Sequence, residues 1–419
     1  MFNDQISDYF VGVAAKYLSA VDADPGRSNQ HEIGGLPSVG FKKYLGTPSK
    51  HEEYRFKAKQ IYITDDCVAP ELVSAEVTWY DCRRKQPHRT PEYRLYYSKS
   101  SVSELINEGD FLLVAKMQDD SLLMIFSPAG STTENQLRVL FGLGQVKEYF
   151  SEGSVTALEL HLPLRLMLEE FGIETKILEK EEGYWLDKLI PLFGGDVFPS
   201  TSLFSDFACK TILNEVDPVG DPDLALVNWM EHEEKLFRIY ERHIVKKRLV
   251  VGFGDDGADV DGFIRFSLSV QNRRKSRVGH AFERYLQKIF MHHGLIFEQG
   301  GGKDCVTENN SRPDFMFPGF RSYHDIDFPK ENLNMLGAKT TCKDRWRQVL
   351  SEANRIETKH LITLEAAISH KQTSEMRSQG LQLIVPTSIQ STYSFEQSSW
   401  LINLKMFIDM MKANQTVFT

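Results

Sequence analysis

The hydrophobic period of this chain changes along its length, and no other feature limits its fold as strongly. Apolar residues first recur in short stretches, at Gln60–Thr64, Ser74–Tyr80, Tyr93–Tyr97, Phe111–Lys116 and Leu122–Phe126, separated by turn-forming residues. Their alternation and spacing predict a small β-barrel or pseudobarrel. From about Pro222 the pattern differs. Helical stretches at roughly Pro222–Lys247, Arg277–His293 and Asp344–Ile356 alternate with strand candidates at Asp314–Phe317, Leu333–Lys339, His360–Leu364 and Leu381–Val385. Such alternation predicts an α/β domain with a central mixed sheet flanked by helices. The two patterns call for two cores, and 419 residues can build both. The expected layout is a β-rich N-terminal domain over 1–172, a linker over 173–185 around the charged stretch Glu179–Glu182, and the α/β domain over 186–419. Helices near Thr133–Leu143 and Leu164–Phe171 close the first domain. The opening stretch MFNDQISDYFVGVAAKYL reads as an amphipathic helix rather than a signal peptide.

Composition removes several classes of function. No run of about 18 apolar residues appears, so no membrane span is predicted. The five cysteines, Cys67, Cys82, Cys209, Cys305 and Cys342, are scattered with no CxxC pair. That argues against a disulfide framework and a structural zinc site, with a cytoplasmic location as the default. The net charge of −9, from 49 Lys+Arg against 58 Asp+Glu, speaks weakly against nucleic-acid binding. Phosphates, however, are met by a local patch rather than by the total charge. Arg83 to Arg94 carries five basic residues and one acid, Glu92, while Gln271 to Lys288 carries six and one acid, Glu283. Each segment alone reads as a solvated face. Two in different domains, one of them flanking a catalytic-looking carboxylate, point towards DNA.

The constellation with chemical content is Glu283, Pro313-Asp314, Lys339 and Glu352. Hydrolysis of a phosphodiester needs carboxylates to hold a divalent cation, stabilisation of the developing charge, and a positioned water. An Asp at the start of one strand and a Lys on the next can converge on one phosphate, the Asp as a Mg²⁺ ligand and the Lys orienting the water. This is the PD-(D/E)xK layout, with one departure: the acid expected two residues before the Lys is Gly337. Glu352, predicted on the following helix at the margin of its buried stripe, can replace it as the second metal ligand. Glu283 holds a similar marginal place on its own helix. A surface salt bridge would give either residue the same pattern.

Beyond Lys339 the chain reads Thr-Thr-Cys-Lys-Asp-Arg-Trp-Arg347. Arg345 can bond in bidentate fashion to guanine, and Asp344 can accept from the cytosine amine. Cations at a helix N-terminus oppose the helix dipole, so Lys343, Arg345 and Arg347 call for a purpose there.

These blocks, with Ser269-Val-Gln-Asn-Arg-Arg-Lys-Ser-Arg277, Arg312-Pro-Asp-Phe-Met-Phe317, Tyr323-His-Asp325 and Phe328-Pro329, closely resemble the catalytic domain of the EcoRII-type (type IIE) restriction endonucleases, from about Leu186 onward. The resemblance implies that Asp314, Lys339 and Glu352 are catalytic, with Glu283 a fourth member. It implies that Lys343, Asp344 and Arg345 read outer C·G pairs of a CCWGG-like site. Arg273 and Arg274 are further DNA-contact candidates. His31-Glu-Ile-Gly-Gly-Leu-Pro-Ser38, Ala75–Lys85 and the loop through Arg94 resemble the family's effector domain more weakly. That domain is a pseudobarrel that binds a second DNA site and restrains the catalytic domain. His31, Arg83, Arg84, Lys85, Arg89 and Arg94 are the corresponding candidates here. Relatives flip out a central base and hold it with an aromatic residue and an arginine. Trp229 is the stacking candidate, although a core tryptophan on an amphipathic helix fits it equally and no Arg lies four residues away on either side. The implied function is Mg²⁺-dependent double-strand cutting of duplex DNA by a homodimer, paired in the cell with a methyltransferase acting on the same site. Gly337 keeps open a DNA-binding protein with an inactive nuclease site. A structure-selective repair nuclease of the same fold is the third possibility.

Overall fold

The computed structural model describes residues 5–23, 31–66, 69–86, 88–143, 151–153, 162–173, 179–302, 304–342 and 345–416. Its N-terminal half is a β-rich body, as the short apolar segments predict. Strands β1 (Phe10–Tyr17), β2 (Glu32–Ile33), β3 (Tyr54–Tyr62), β4 (Glu71–Asp81), β5 (Tyr93–Tyr97), β6 (Phe111–Met117), β7 (Leu122–Ser127) and β8 (Ser151–Gly153) form one sheet in the order β2-β5-β4-β3-β7-β6-β1-β8. The β3–β7 pair is parallel. Strands β6 and β7 are buried on both faces, and their period of two sorts residues between two cores. Leu112, Val114, Met124 and Phe126 join a cluster with Trp79 and Leu95. Leu113, Leu123 and Ile125 face the other way, into a cluster shared with the rest of the molecule.

The N-terminal stretch corrects the sequence reading, because Phe10–Tyr17 is a strand and not a helix. Its alanines blurred the period. Ala14 and Ala15 are both fully buried, one in each core. A Cβ at Gly12 would lie 2.2 Å from the Tyr44 ring, so the close passage of β1 depends on that glycine.

Helices follow: α1 (Thr132–Leu140), α2 (Leu162–Glu170), α3 (Glu179–Phe193), α4 (Thr201–Thr211), α5 (Pro222–Val251) and α6 (Val260–His292). Part of the expected linker, residues 174–178, lies outside the described residues, and from Glu179 onward the chain is already helical. Helix α6 begins well before Arg277, with the Asp259 side chain accepting from the Gly262 N–H at its start. Helix α6 packs against α5.

The second sheet has the order β13-β12-β11-β10-β9, from β9 (Glu298–Gln299), β10 (Phe315–Phe317), β11 (Asn334–Lys339), β12 (Lys359–Thr363) and β13 (Leu381–Ile384). β11, β12 and β13 are parallel; β10 runs antiparallel to β11 and to β9. Helix α7 (Arg345–Leu350) lies in the β11–β12 crossover, α8 (His370–Ser378) in the β12–β13 crossover, and α9 (Leu404–Gln415) follows. Phe290, Phe317 and Phe407 stack edge to face or tilted where α6, β10 and α9 meet. Helix α7 stops short of the predicted Ile356. Ala353 takes φ +50°, its N–H donates to Thr307 Oγ1, and the Asn354 N–H donates to Glu308 Oε2. Tertiary partners thus take the amides that a longer helix would use.

The halves are packed together, and one buried cluster runs from Phe10 and Leu113 to Phe290 and Leu361. Across the seam Thr132 Oγ1 donates to Gln372 Oε1 at 2.9 Å and accepts from the Ser369 N–H at 3.1 Å.

Candidate active site

The register Phe315↔Leu336 across β10 and β11 brings the residue before β10 beside the end of β11. Asp314 Oδ2 there accepts from the Ala338 N–H and from Lys339 Nζ, both at 2.7 Å. Both side chains are mostly buried, at 16% exposure for Asp314 and 22% for Lys339. Gly300 lets the β9 segment reach this point, since a Cβ would meet the Pro313 carbonyl oxygen at 2.3 Å. The Gly300 N–H donates to the Asp314 carbonyl at 2.9 Å, fixing the aspartate from behind.

Two further acids converge on this pair. Glu283, on α6, is half-buried and accepts from Gln299 Nε2 at 3.3 Å. Burial first, and then the charge of Asp314, hold its carboxyl above the usual range, with Lys339 opposing. Glu352 sits in the turn after α7 rather than on the helix, a correction to the predicted element. Burial and Asp314 push its pKa up to about 7, against the pull of Lys339 and Lys359. All four predicted catalytic side chains therefore share one electrostatic environment.

The structure also explains Gly337. A Cβ at this position would lie 2.9 Å from Val349 Cγ2 and 3.4 Å from Leu361 Cδ1, so α7 occupies the space of the usual carboxylate. The turn bearing Glu352 is tied down from several sides. Lys359 Nζ donates to the Ile356 carbonyl at 2.8 Å, and Glu308 also accepts from the Tyr323 hydroxyl at 2.6 Å. Sequence reasoning missed Gln299 and Lys359. Neither belongs to a spaced motif; both act through folded proximity.

The candidate DNA contacts fare unevenly. Lys343 and Asp344 lie outside the described residues, while Arg345 is exposed at the start of α7. Arg273 is exposed, its guanidinium 4.5 Å from the Phe198 ring centroid. Arg274 is held by Glu241 at 2.6 Å, so its guanidinium already has an anionic partner. Much of that basic segment is internal pairing: Arg277 is buried with Glu233 and Glu234, and Arg284 and Lys288 meet Asp206. Trp229 is fully buried, its ring centroid 5.4 Å from that of Tyr285. The structure thus places it in the core rather than on a base-stacking surface. In the N-terminal half Arg83 pairs with Glu92, Arg84 with Glu53, and Arg94 with Glu92 and Glu32. Lys85 and Arg89 are exposed between β4 and β5. His31 packs on Tyr97 at 5.0 Å, and burial, with Lys99, lowers its pKa.

The α/β half of the chain is thus a five-stranded mixed sheet flanked by helices, with Asp314 and Lys339 joined at the ends of adjacent strands. Residues 237–408 match the family model described as EcoRII C terminal. The chain is 41% identical over 211 residues to the type II restriction enzyme EcoRII of Escherichia coli, covering 50% of each protein. It is 28% identical over 153 residues to the type II restriction enzyme SsoII of Shigella sonnei, covering 35% of this chain and 48% of SsoII. The matches span about half the length of these curated relatives. Among solved structures, metal-depleted Ecl18kI with uncleaved DNA aligns at a TM-score of 0.44 and 17% identity, over 57% of this chain and 86% of that one. The PspGI–substrate DNA complex aligns at 0.42 and 15%, over 52% and 94%. Among the described residues no helix is long and apolar enough to cross a membrane.

Proposed function

We propose that this protein is a site-specific endonuclease that hydrolyses both strands of duplex DNA with Mg²⁺. The observation that carries this reading is the Asp314–Lys339 pair, joined by Glu283 and Glu352 where α7 has displaced the usual carboxylate. Among the described residues no three His, Cys, Asp or Glu side chains form a closed metal cage. Two carboxylates, Asp314 and Glu352, suit Mg²⁺, which keeps several waters and completes its shell with substrate phosphate. The repulsion among three partly buried acids is what a cation would relieve. When bound, Mg²⁺ would supply Lewis-acid stabilisation of the charge developing on the phosphate. Lys339 orients the water that attacks phosphorus as a P–O bond breaks, and Asp314 orients Lys339.

Arg345 opens α7, in the segment that directly follows Lys339 and the end of β11. That placement supports reading of an outer C·G pair together with Lys343 and Asp344. Arg345→Ala is expected to cost about 1–3 kcal/mol on the cognate duplex. Equal losses on cognate and random DNA, measured by fluorescence anisotropy, would refute the reading role.

The N-terminal half is proposed to bind a second DNA site, through His31, Lys85, Arg89 and the arginines Arg83, Arg84 and Arg94, which would exchange carboxylates for phosphates. A second copy of the chain is proposed to supply the second active site. Exposed Val250, Val251, Val260, Phe263, Ile264 and Leu268 on α5 and α6 offer an apolar face for it. Incubation with one-site and two-site plasmids and Mg²⁺ tests the whole reading. Discrete fragments, faster cutting with a second site, and a dimeric mass by sedimentation are expected. A mobility shift with unbroken DNA would support the inactive-nuclease alternative, and cutting confined to branched DNA the repair nuclease.

A further inference from the structure

The step from the catalytic lysine to the base-reading segment is made by three residues, Thr340, Thr341 and Cys342, of which Cys342 is buried in the core. Thr340 and Thr341 border a cavity in the seam between the halves, lined also by Asp65, Thr133, Gln136 and Glu365. Directional bonds fix the course of the three. Thr363 Oγ1 donates to the Thr340 carbonyl at 3.4 Å, and the Cys342 N–H donates to Glu365 Oε2. The Cys342 carbonyl accepts from the Arg345 N–H at 2.7 Å, so the peptide units on either side of Cys342 lead from Glu365 into α7.

Glu365 is itself held rigidly. It is only 6% exposed, its N–H donates to Thr363 Oγ1 at 3.1 Å, and its carbonyl accepts from the Tyr393 hydroxyl at 2.6 Å. Its other carboxylate oxygen accepts from Gln136 Nε2 at 3.2 Å, and the same amide donates to the Ala366 carbonyl at 3.1 Å. Gln136 belongs to α1 in the N-terminal half. A buried carboxylate on a main-chain N–H makes a charge-assisted bond, stronger than a neutral one.

We propose that Glu365 is a positioning residue that sets the register between Lys339 and the base-reading segment that opens α7 at Arg345, and that Gln136 makes this register depend on how the N-terminal half is seated. This rests on the reading role proposed above for that segment. Glu365 touches neither DNA nor the reacting atoms; it acts through the Cys342 N–H. Its loss leaves that buried donor without its acceptor and frees the start of α7 to shift. The effect falls on discrimination between sequences rather than on phosphate contacts shared by all DNA.

The test measures binding by the full chain carrying Lys339→Ala, with Mg²⁺ present, so that affinity is read without cutting. The probes are a short CCWGG duplex and one with an outer C·G pair exchanged. Glu365→Ala is expected to lower the ratio of the two affinities about tenfold, with little change on the exchanged duplex. Glu365→Gln keeps an acceptor for the Cys342 N–H and should recover most of the ratio. Gln136→Ala, half-buried on α1, should lower it by about threefold. A role confined to stability would shift the melting temperature and leave the ratio alone. Unchanged discrimination in Glu365→Ala and Gln136→Ala would overturn the proposal. If Glu365→Ala fails to fold, Gln136→Ala decides. A parent protein that does not discriminate at all reveals failure of the reading role before any Glu365 variant is made, and the proposal falls with it.

Discussion

Lys339→Ala and Asp314→Ala are each expected to slow DNA cutting by about a thousandfold or more while leaving binding to the cognate duplex largely intact. The two side chains share one 2.7 Å contact, and each loses its partner when the other is removed. The effect is expected to be chemical rather than structural, because Lys339 is the last residue of β11 and Asp314 immediately precedes β10, both at the margin of the sheet. Single-turnover cleavage with Mg²⁺ and binding by the same variants form the measurement. Cutting at the parent rate by either variant would remove these residues from the active site. Adding Gly337→Glu to Glu352→Ala should fail to restore cutting, because the new side chain must displace Val349.

Glu352→Gln should make the metal-free protein more stable at pH 8, although it abolishes cutting. The carboxyl's pKa is raised from its ordinary 4.5 to about 7, with burial the largest cause and Asp314 the next. The folded state therefore favours the neutral acid. Below about pH 4.5 the parent carries no penalty from this group; stability falls as pH rises towards 7, and the full cost is present above it. Replacing the ionised group with a neutral amide should gain about 1–3 kcal/mol at pH 8 and almost nothing at pH 4.5. Added Mg²⁺ should then stabilise the parent and not the variant, since it binds the folded carboxylate. Urea titrations in EDTA at both pH values check the first part, and melting with increasing Mg²⁺ the second. Equal stability of the two proteins at pH 8 would show that Glu352 is not held in the environment described.

Sequence pattern reached the strands well where a face alternates, as in β4 and β5, and where a short apolar run is bounded by turns, as in β6 and β7. It failed at β1, where small residues suit helix and strand alike and only pairing with β6 decides between them. It overran α7 because Glu352 and its neighbours have good helical spacing, while Thr307 and Glu308, more than forty residues earlier in the chain, capture the amides that end the helix. Charge counting was a weak guide. The basic run through Arg274, Arg277 and Arg284 meets Glu241, Glu233 and Asp206, acids that stand elsewhere in the sequence and are invisible to a local count.

Local chemistry was sufficient to predict a β-rich first half and an α/β second half, to nominate Asp314, Lys339, Glu283 and Glu352 as candidates, and to expose the gap at Gly337, because residue type and spacing carry that information. Packing settled the rest. It placed Glu352 on a turn and filled the space beside Gly337 with Val349. It buried Trp229 against Tyr285 and joined Gln136 to Glu365 across the seam. Each of these depends on contacts between residues distant in the chain, and such contacts exist only once the backbone has closed around them.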